Sequence, residues 1–186
     1  SQLTMQLAFR ACHRSAPELT TLKLLRRVLA GGGCSRLHLA LRERLGMIYS
    51  VDASIGSYDE TGCLSIDLST APENLATVLK ATLEELRLLA ASPLAEAELE
   101  RARTVYLADL DYSRDSVSEM GIRFGWGTLM GVARSIDKDQ QLVAQVSAKD
   151  LQKLAAELFR PENRFLGVIG PIESIEQQEI EQLLQL

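Results

Sequence analysis

Histidine is scarce. The 186-residue chain carries two, His13 and His38, in different segments. A zinc hydrolase commonly takes two histidines from one helix face, a third ligand and a glutamate base. Neither histidine here stands in an H-x-x-E-H pattern or its inverse, so no metal is expected in this chain. Cys12-His13 and Cys34 supply metal-binding atoms, but nothing in their spacing gathers them. No G-x-S-x-G elbow occurs, and neither histidine has a recognisable partner serine or cysteine. No catalytic residue is expected in this chain alone.

Cysteine is also sparse. Cys12, Cys34 and Cys63 are odd in number, widely spread and without C-x-x-C spacing. Free thiols in a reducing compartment follow, which favours the cytoplasm and leaves the periplasm open. No apolar stretch approaches the length of a membrane span, and no basic segment followed by an apolar run opens the chain. A basic tract is missing too, and the net charge is −5, so nucleic acid is not expected as a partner. An initiator methionine is lacking at Ser1. Either upstream residues have been removed or the chain is a piece of a longer one.

What is present is ordinary globular material, 46% hydrophobic and 24% charged, enough for one well-buried core. Met5, Leu7, Phe9 and Ala11 alternate as a strand, and Ser15-Ala16-Pro17-Glu18 offers a helix start. Leu22, Leu25, Val28 and Leu29 give that helix its apolar stripe, and Gly31-Gly32-Gly33 ends it. Ser35 can cap a short helix with Leu37, Leu41 and Leu45 inward, closed at Gly46.

Tyr49, Val51, Ala53 and Ile55 alternate with polar residues, as do Leu64, Ile66 and Leu68 beyond the turn at 59–62. These are the two strands of a hairpin. Thr70-Ala71-Pro72-Glu73 matches a capping box opening a long helix, and a second starts at Ser92-Pro93 with Leu99, Ala102, Tyr106 and Leu110 inward. Glu98/Arg101 and Glu100/Arg103 are its expected outer ion pairs. Helix is expected over 116–130 with glycine interruptions, over 137–145, and from Ser147 to Phe159. Phe165–Ile169 reads as a buried strand and the tail from Ile172 as helix. Grouped helices and sequence-adjacent strands predict an α+β fold. The expected architecture is a two-layer sandwich, a mainly antiparallel sheet with helices packed on one face, forming a single domain over residues 1–186.

Two local features admit more than one reading. The run Gly31-Gly32-Gly33-Cys34-Ser35 precedes a helix, so its amides can meet an anion, or the run is only a flexible break. Trp126, between Gly125 and Gly127, is read as a packed or helix-kink residue rather than a surface mark.

Ser35-Arg36-Leu37, Leu41-Arg42-Glu43, Arg44, Gly46 and Tyr49-Ser50-Val51 follow the glycine run in order. With this segment the chain resembles the C-terminal, non-zinc domain of the insulinase, pitrilysin and mitochondrial processing-peptidase family of zinc metallopeptidases, in a bacterial form. The likeness continues through Thr70-Ala71-Pro72-Glu73-Asn74, Glu98–Ala102, Phe159–Asn163 and Val168–Pro171, covering nearly the whole chain. Cys34 stands where the family usually has a methionine.

The resemblance implies two similar halves, or two subunits, around a closed chamber. One bears zinc; the other contributes an arginine and a tyrosine seven positions later. Those map onto Arg42 and Tyr49, expected to bind the peptide carbonyl and support its oxyanion. Arg36 and His38 are taken as structural. Against that role, Tyr49 shares the Val51 face and can be a core tyrosine, while Arg42 can pair with Glu43 or Glu98.

The implied partners are a zinc-bearing N-terminal half or partner subunit and a peptide substrate, in a single chain or a homo- or heterodimer. The alternative is a catalytically inert structural subunit, or a protein-binding module, of the same fold.

Overall fold

The computed structural model describes residues 2–171 and 174–185. Four strands, β1 (Leu3–Ala11), β2 (Ile48–Ser57), β3 (Gly62–Thr70) and β4 (Arg164–Ile169), form one sheet. The order is β2-β3-β1-β4 and each pairing is antiparallel. Around it run α1 (Leu19–Ala30), a π-helical turn (His38–Arg44), α2 (Leu75–Ala91) and α3 (Glu96–Tyr112). Short helices α4 (Val117–Met120) and α5 (Gly127–Leu129) flank a second wide turn, Gly121–Trp126. Then come α6 (Ile136–Gln145), α7 (Ala148–Leu158) and α8 (Ser174–Leu184). The fold is α+β, as the sequence predicts.

Alternation along the strands decides which face is covered. Leu3, Met5, Leu7 and Phe9 of β1 are fully buried and pair in register with Thr70, Leu68, Ile66 and Leu64 of β3. The helices pack on that row through Leu22, Leu25 and Leu29 of α1, Val78 and Leu79 of α2, and Leu151 and Ala155 of α7, giving one continuous core. Each fully buried leucine is worth roughly 1.5–3 kcal/mol over an exposed one. The opposite face carries Ser50, Asp52 and Ser54 of β2 beside Ser69, Asp67 and Ser65 of β3. Thr4, Gln6 and Ala8 of β1 continue those rows. It is small and polar, with Gln6 Nε2 donating to Asp67 Oδ1 at 2.7 Å.

Several local expectations are corrected. Helix α1 begins at Leu19, so Ser15 is not its cap. Thr70 does not open a capping box, because it is the last residue of β3 and donates its hydroxyl to the Met47 carbonyl at 2.5 Å. A single 3₁₀ turn, Pro72–Asn74, leads into α2 instead. The capping box forms elsewhere, at Ser147 with Asp150 at the head of α7. Strand β4 is half-covered rather than buried: it is an edge strand, and Phe165 and Ile169 point to solvent. Leu45 is exposed, not inward. The helical tail is α8; Ile172 and Glu173 lie outside the described residues.

Gly46 sits in the left-handed region with φ +65° and closes the π-helical turn. A Cβ there would meet no atom within 4 Å, so any penalty is one of backbone conformation alone. Gly46→Ala is expected to lower unfolding stability by about 1–2 kcal/mol, read as a shift in the urea midpoint. An unchanged midpoint would contradict this account of the turn.

Candidate functional site

Three arginines stand on or beside the π-helical turn, and two of them are engaged. Arg36 donates from Nε and Nη2 to both carboxylate oxygens of Glu98 on α3, at 2.7 and 2.9 Å. Those bonds hold its guanidinium even more firmly protonated than usual. Glu85 on α2 lies 3.9 Å from Arg36 and accepts from Arg44 Nη2 at 3.0 Å. Arg36 thus braces the turn against two helices, the structural role read for it. His38 also serves structure, its Nδ1 standing 3.0 Å from the Ser35 hydroxyl.

The expected Glu98/Arg101 pair is absent because Glu98 is committed to Arg36, whereas Glu100 and Arg103 do pair. Arg42 is exposed, and its guanidinium has no hydrogen bond or ion pair among the described residues. Its suggested pairing with Glu43 or Glu98 does not occur.

Tyr49 lies just past the Gly46 closure, at the head of edge strand β2. The register runs Ile48↔Thr70 and then Ser50↔Ser69, so β2 holds one more residue than β3 there. This is a β-bulge, a device that re-aims side chains at sheet edges. Ile48 and Val51 both face the core, and Tyr49 is lifted out of the alternation with 57% of its surface exposed. The reading of Tyr49 on the Val51 face is therefore corrected. The phenol is not a core group. Arg42 and Tyr49 bracket one turn, pinned by the Gly46 amide on the Arg42 carbonyl (3.1 Å) and the Met47 amide on the Leu41 carbonyl (3.1 Å).

At the glycine run, the Ser35 amide and hydroxyl both turn back to the Gly32 carbonyl, at 3.0 and 2.6 Å. Trp126 is 57% exposed, so the packed reading is corrected, while its place at the end of the wide turn Gly121–Trp126 agrees with the helix-kink one. The three cysteines are free. Among the described residues no group of three or more His, Cys, Asp or Glu side chains gathers as a metal site. His13 is exposed beyond β1 while His38 is turned to Ser35, so the described residues do not fit zinc. No described helix is long and apolar enough to cross a membrane. Sequence reasoning missed the Arg36–Glu98 brace, whose partners are 62 positions apart. Their only signal was charge of opposite sign.

Residues 1–106 match the model of the peptidase M16 inactive domain. The chain belongs to that family. It is 29% identical over 180 residues to an uncharacterized zinc protease of Mycobacterium tuberculosis, spanning 95% of this chain and 41% of that protein. The chain thus spans about two-fifths of the length of such relatives. Its fold is similar to the inactive peptidase domain from Bordetella parapertussis, with a TM-score of 0.75, 21% identity, and coverage of 94% of this chain and 95% of that one. It is also similar to a chain in complex III2 from Candida albicans, with a TM-score of 0.83, 14% identity, and coverage of 98% and 46%. These two likenesses concern the fold alone.

Glu98→Gln removes the charge from a half-buried forked pair and is expected to destabilise the chain by about 2 kcal/mol. Glu84→Gln, at an exposed pair with Arg87, should leave the midpoint in place. Equal effects of the two in chemical denaturation would remove the brace from the account.

Proposed function

We propose that the chain is the non-zinc half of a zinc-dependent endopeptidase, closing the substrate chamber and offering Arg42 and Tyr49 to the peptide carbonyl. The observation that carries this is the bulge: it spends a ladder position to expose the Tyr49 phenol, seven residues after Arg42, whose exposed guanidinium has no partner among the described residues. A planar cation and a hydroxyl donor suit the negative charge that develops on a carbonyl oxygen under attack by water. Neither group needs to move a proton; both orient the carbonyl and stabilise charge. The polar sheet face of Ser50, Asp52, Ser54, Ser65 and Asp67 would form one wall of the chamber, presenting short side chains to an extended peptide. The metal would reside in a zinc-bearing N-terminal half or partner subunit, since no group of the described residues gathers as a site for it. This chain alone would be inactive. The reading is supported by zinc proteases of more than twice its length among the relatives.

A second reading, a catalytically inert structural or protein-binding subunit, is favoured by the similarity to a chain in complex III2. The two part at Tyr49. In the complete protein, Tyr49→Phe is expected to lower peptide turnover by on the order of 100-fold, the effect of losing one oxyanion donor, with zinc content unchanged. Equal turnover in mutant and parent removes Tyr49 from the mechanism. The isolated chain, exposed to zinc and desalted, is expected to hold no stoichiometric metal in elemental analysis. One tightly held ion per chain would contradict the division of labour.

A further inference from the structure

A concave site lies between α1, the 117–134 segment and α6. It is a cavity of about 280 Å³ whose lining includes Arg14, Lys23, Arg123 and Arg134 against only Glu119 and Asp139. In a chain with net charge −5, this local excess of cations is unusual. Its floor is Asp139, which is only 6% exposed. Arg123 donates to Asp139 Oδ2 at 2.7 Å, and Arg134 Nε stands 3.2 Å from Oδ1. One carboxylate therefore serves two guanidiniums. Arg14 is 2.9 Å from exposed Asp59, but its buried Nε lacks the alignment of a hydrogen bond.

Lys23 is the telling residue. It is half-buried on α1 and has no hydrogen bond or ion pair among the described residues. Burial first, and then the fields of Arg134, Arg123 and Arg26, push its pKa below the ordinary lysine value, with Asp139 opposing them. A half-buried ammonium whose compensating field comes from Asp139, a carboxylate already shared by two guanidiniums, is incompletely balanced and so destabilising. Beside it the cavity wall turns apolar, with Ile122 and Trp126 both on the surface. The arrangement is held rigidly. Val132 donates its amide to the Gly127 carbonyl at 2.8 Å, and a Cβ at Gly127 would stand 3.1 Å from Ala133 Cα.

We propose that this cavity binds an oxyanion carried on an apolar body, with Lys23 and the arginine pair taking the charge and Trp126 and Ile122 the apolar part. A carboxylate and a phosphate share that chemistry. Arginine forks accept either, and the ammonium acts as a point charge for both. The site rests on none of the residues assigned to the peptidase reading, so the two stand or fall separately.

Trp126 is the sole tryptophan and reports from the cavity wall. The test is its fluorescence on titrating the chain with acetate, hexanoate and inorganic phosphate at constant ionic strength. At least one anion is expected to give a saturable change. Hexanoate binding about tenfold or more tighter than acetate identifies a carboxylate on an apolar chain; phosphate binding tightest identifies a phosphate group. Lys23→Met keeps the aliphatic stem and is expected to weaken binding at least about tenfold. It should also raise the melting temperature without ligand, because a half-buried, incompletely balanced charge has gone. No saturable change with any of the three anions overturns the proposal. So does binding that Lys23→Met leaves unaltered, or a Lys23→Met variant that melts lower than its parent.

Discussion

A one-residue mismatch between two paired strands governs the arrangement of the candidate site. Residue β2-49 has no counterpart on β3, and this lets Ile48 and Val51, three apart, both reach the core. In a regular strand they would face opposite sides. Burying both apolar groups favours keeping the extra residue, and Tyr49 is left with nowhere to go but outward. The chain leading in is tied down on both sides. Thr70, fully buried, grips the Met47 carbonyl, and the Gly46 and Met47 amides close the preceding turn. The phenol is exposed because of core packing, and its position inherits the rigidity of that packing.

Charge is distributed by the same logic. Arg36 and Arg44 are drawn to Glu98 and Glu85, and these bonds lash the π-helical turn to α3 and α2. A forked pair between half-buried groups loses much when one partner is removed. Arg42, between them in sequence, is spared this duty. An arginine without internal work, on a turn whose neighbours are fixed, can meet an outside acceptor with little reorganisation. Lys23 presents the opposite case, a half-buried cation whose compensating field comes from Asp139, a carboxylate already shared by two arginines.

Much of the fold was legible because it is written in short-range periodicity. The alternation of Met5 to Ala11 and of Leu64 to Leu68, and the apolar stripe of α1, sufficed for an antiparallel sheet with helices on one face. The signature spanning Ser35 to Val51 carried the resemblance to the family and singled out Arg42 and Tyr49 as candidates. Their surroundings were harder. Alternation extended backward from Val51 put Tyr49 inside, since a bulge breaks period two without any glycine or proline to announce it. The apolar pair Ile48 and Val51 was the one clue. The exposure of Phe165, Ile169 and Trp126 depends on which elements end up beside them, which no local pattern encodes. The cationic cavity was invisible for the same reason: Arg14, Lys23, Arg123, Arg134 and Asp139 come from separate segments.

The bulge also bears on how relatives of this fold diverge. Removing Ser50 alone would heal the ladder: Tyr49 would drop opposite Ser69, and Ile48 and Val51 would keep their inward seats against Thr70 and Leu68. The sheet pairing would become regular, and Tyr49 would join the row of short polar residues on the uncovered face instead of sitting at a break in it.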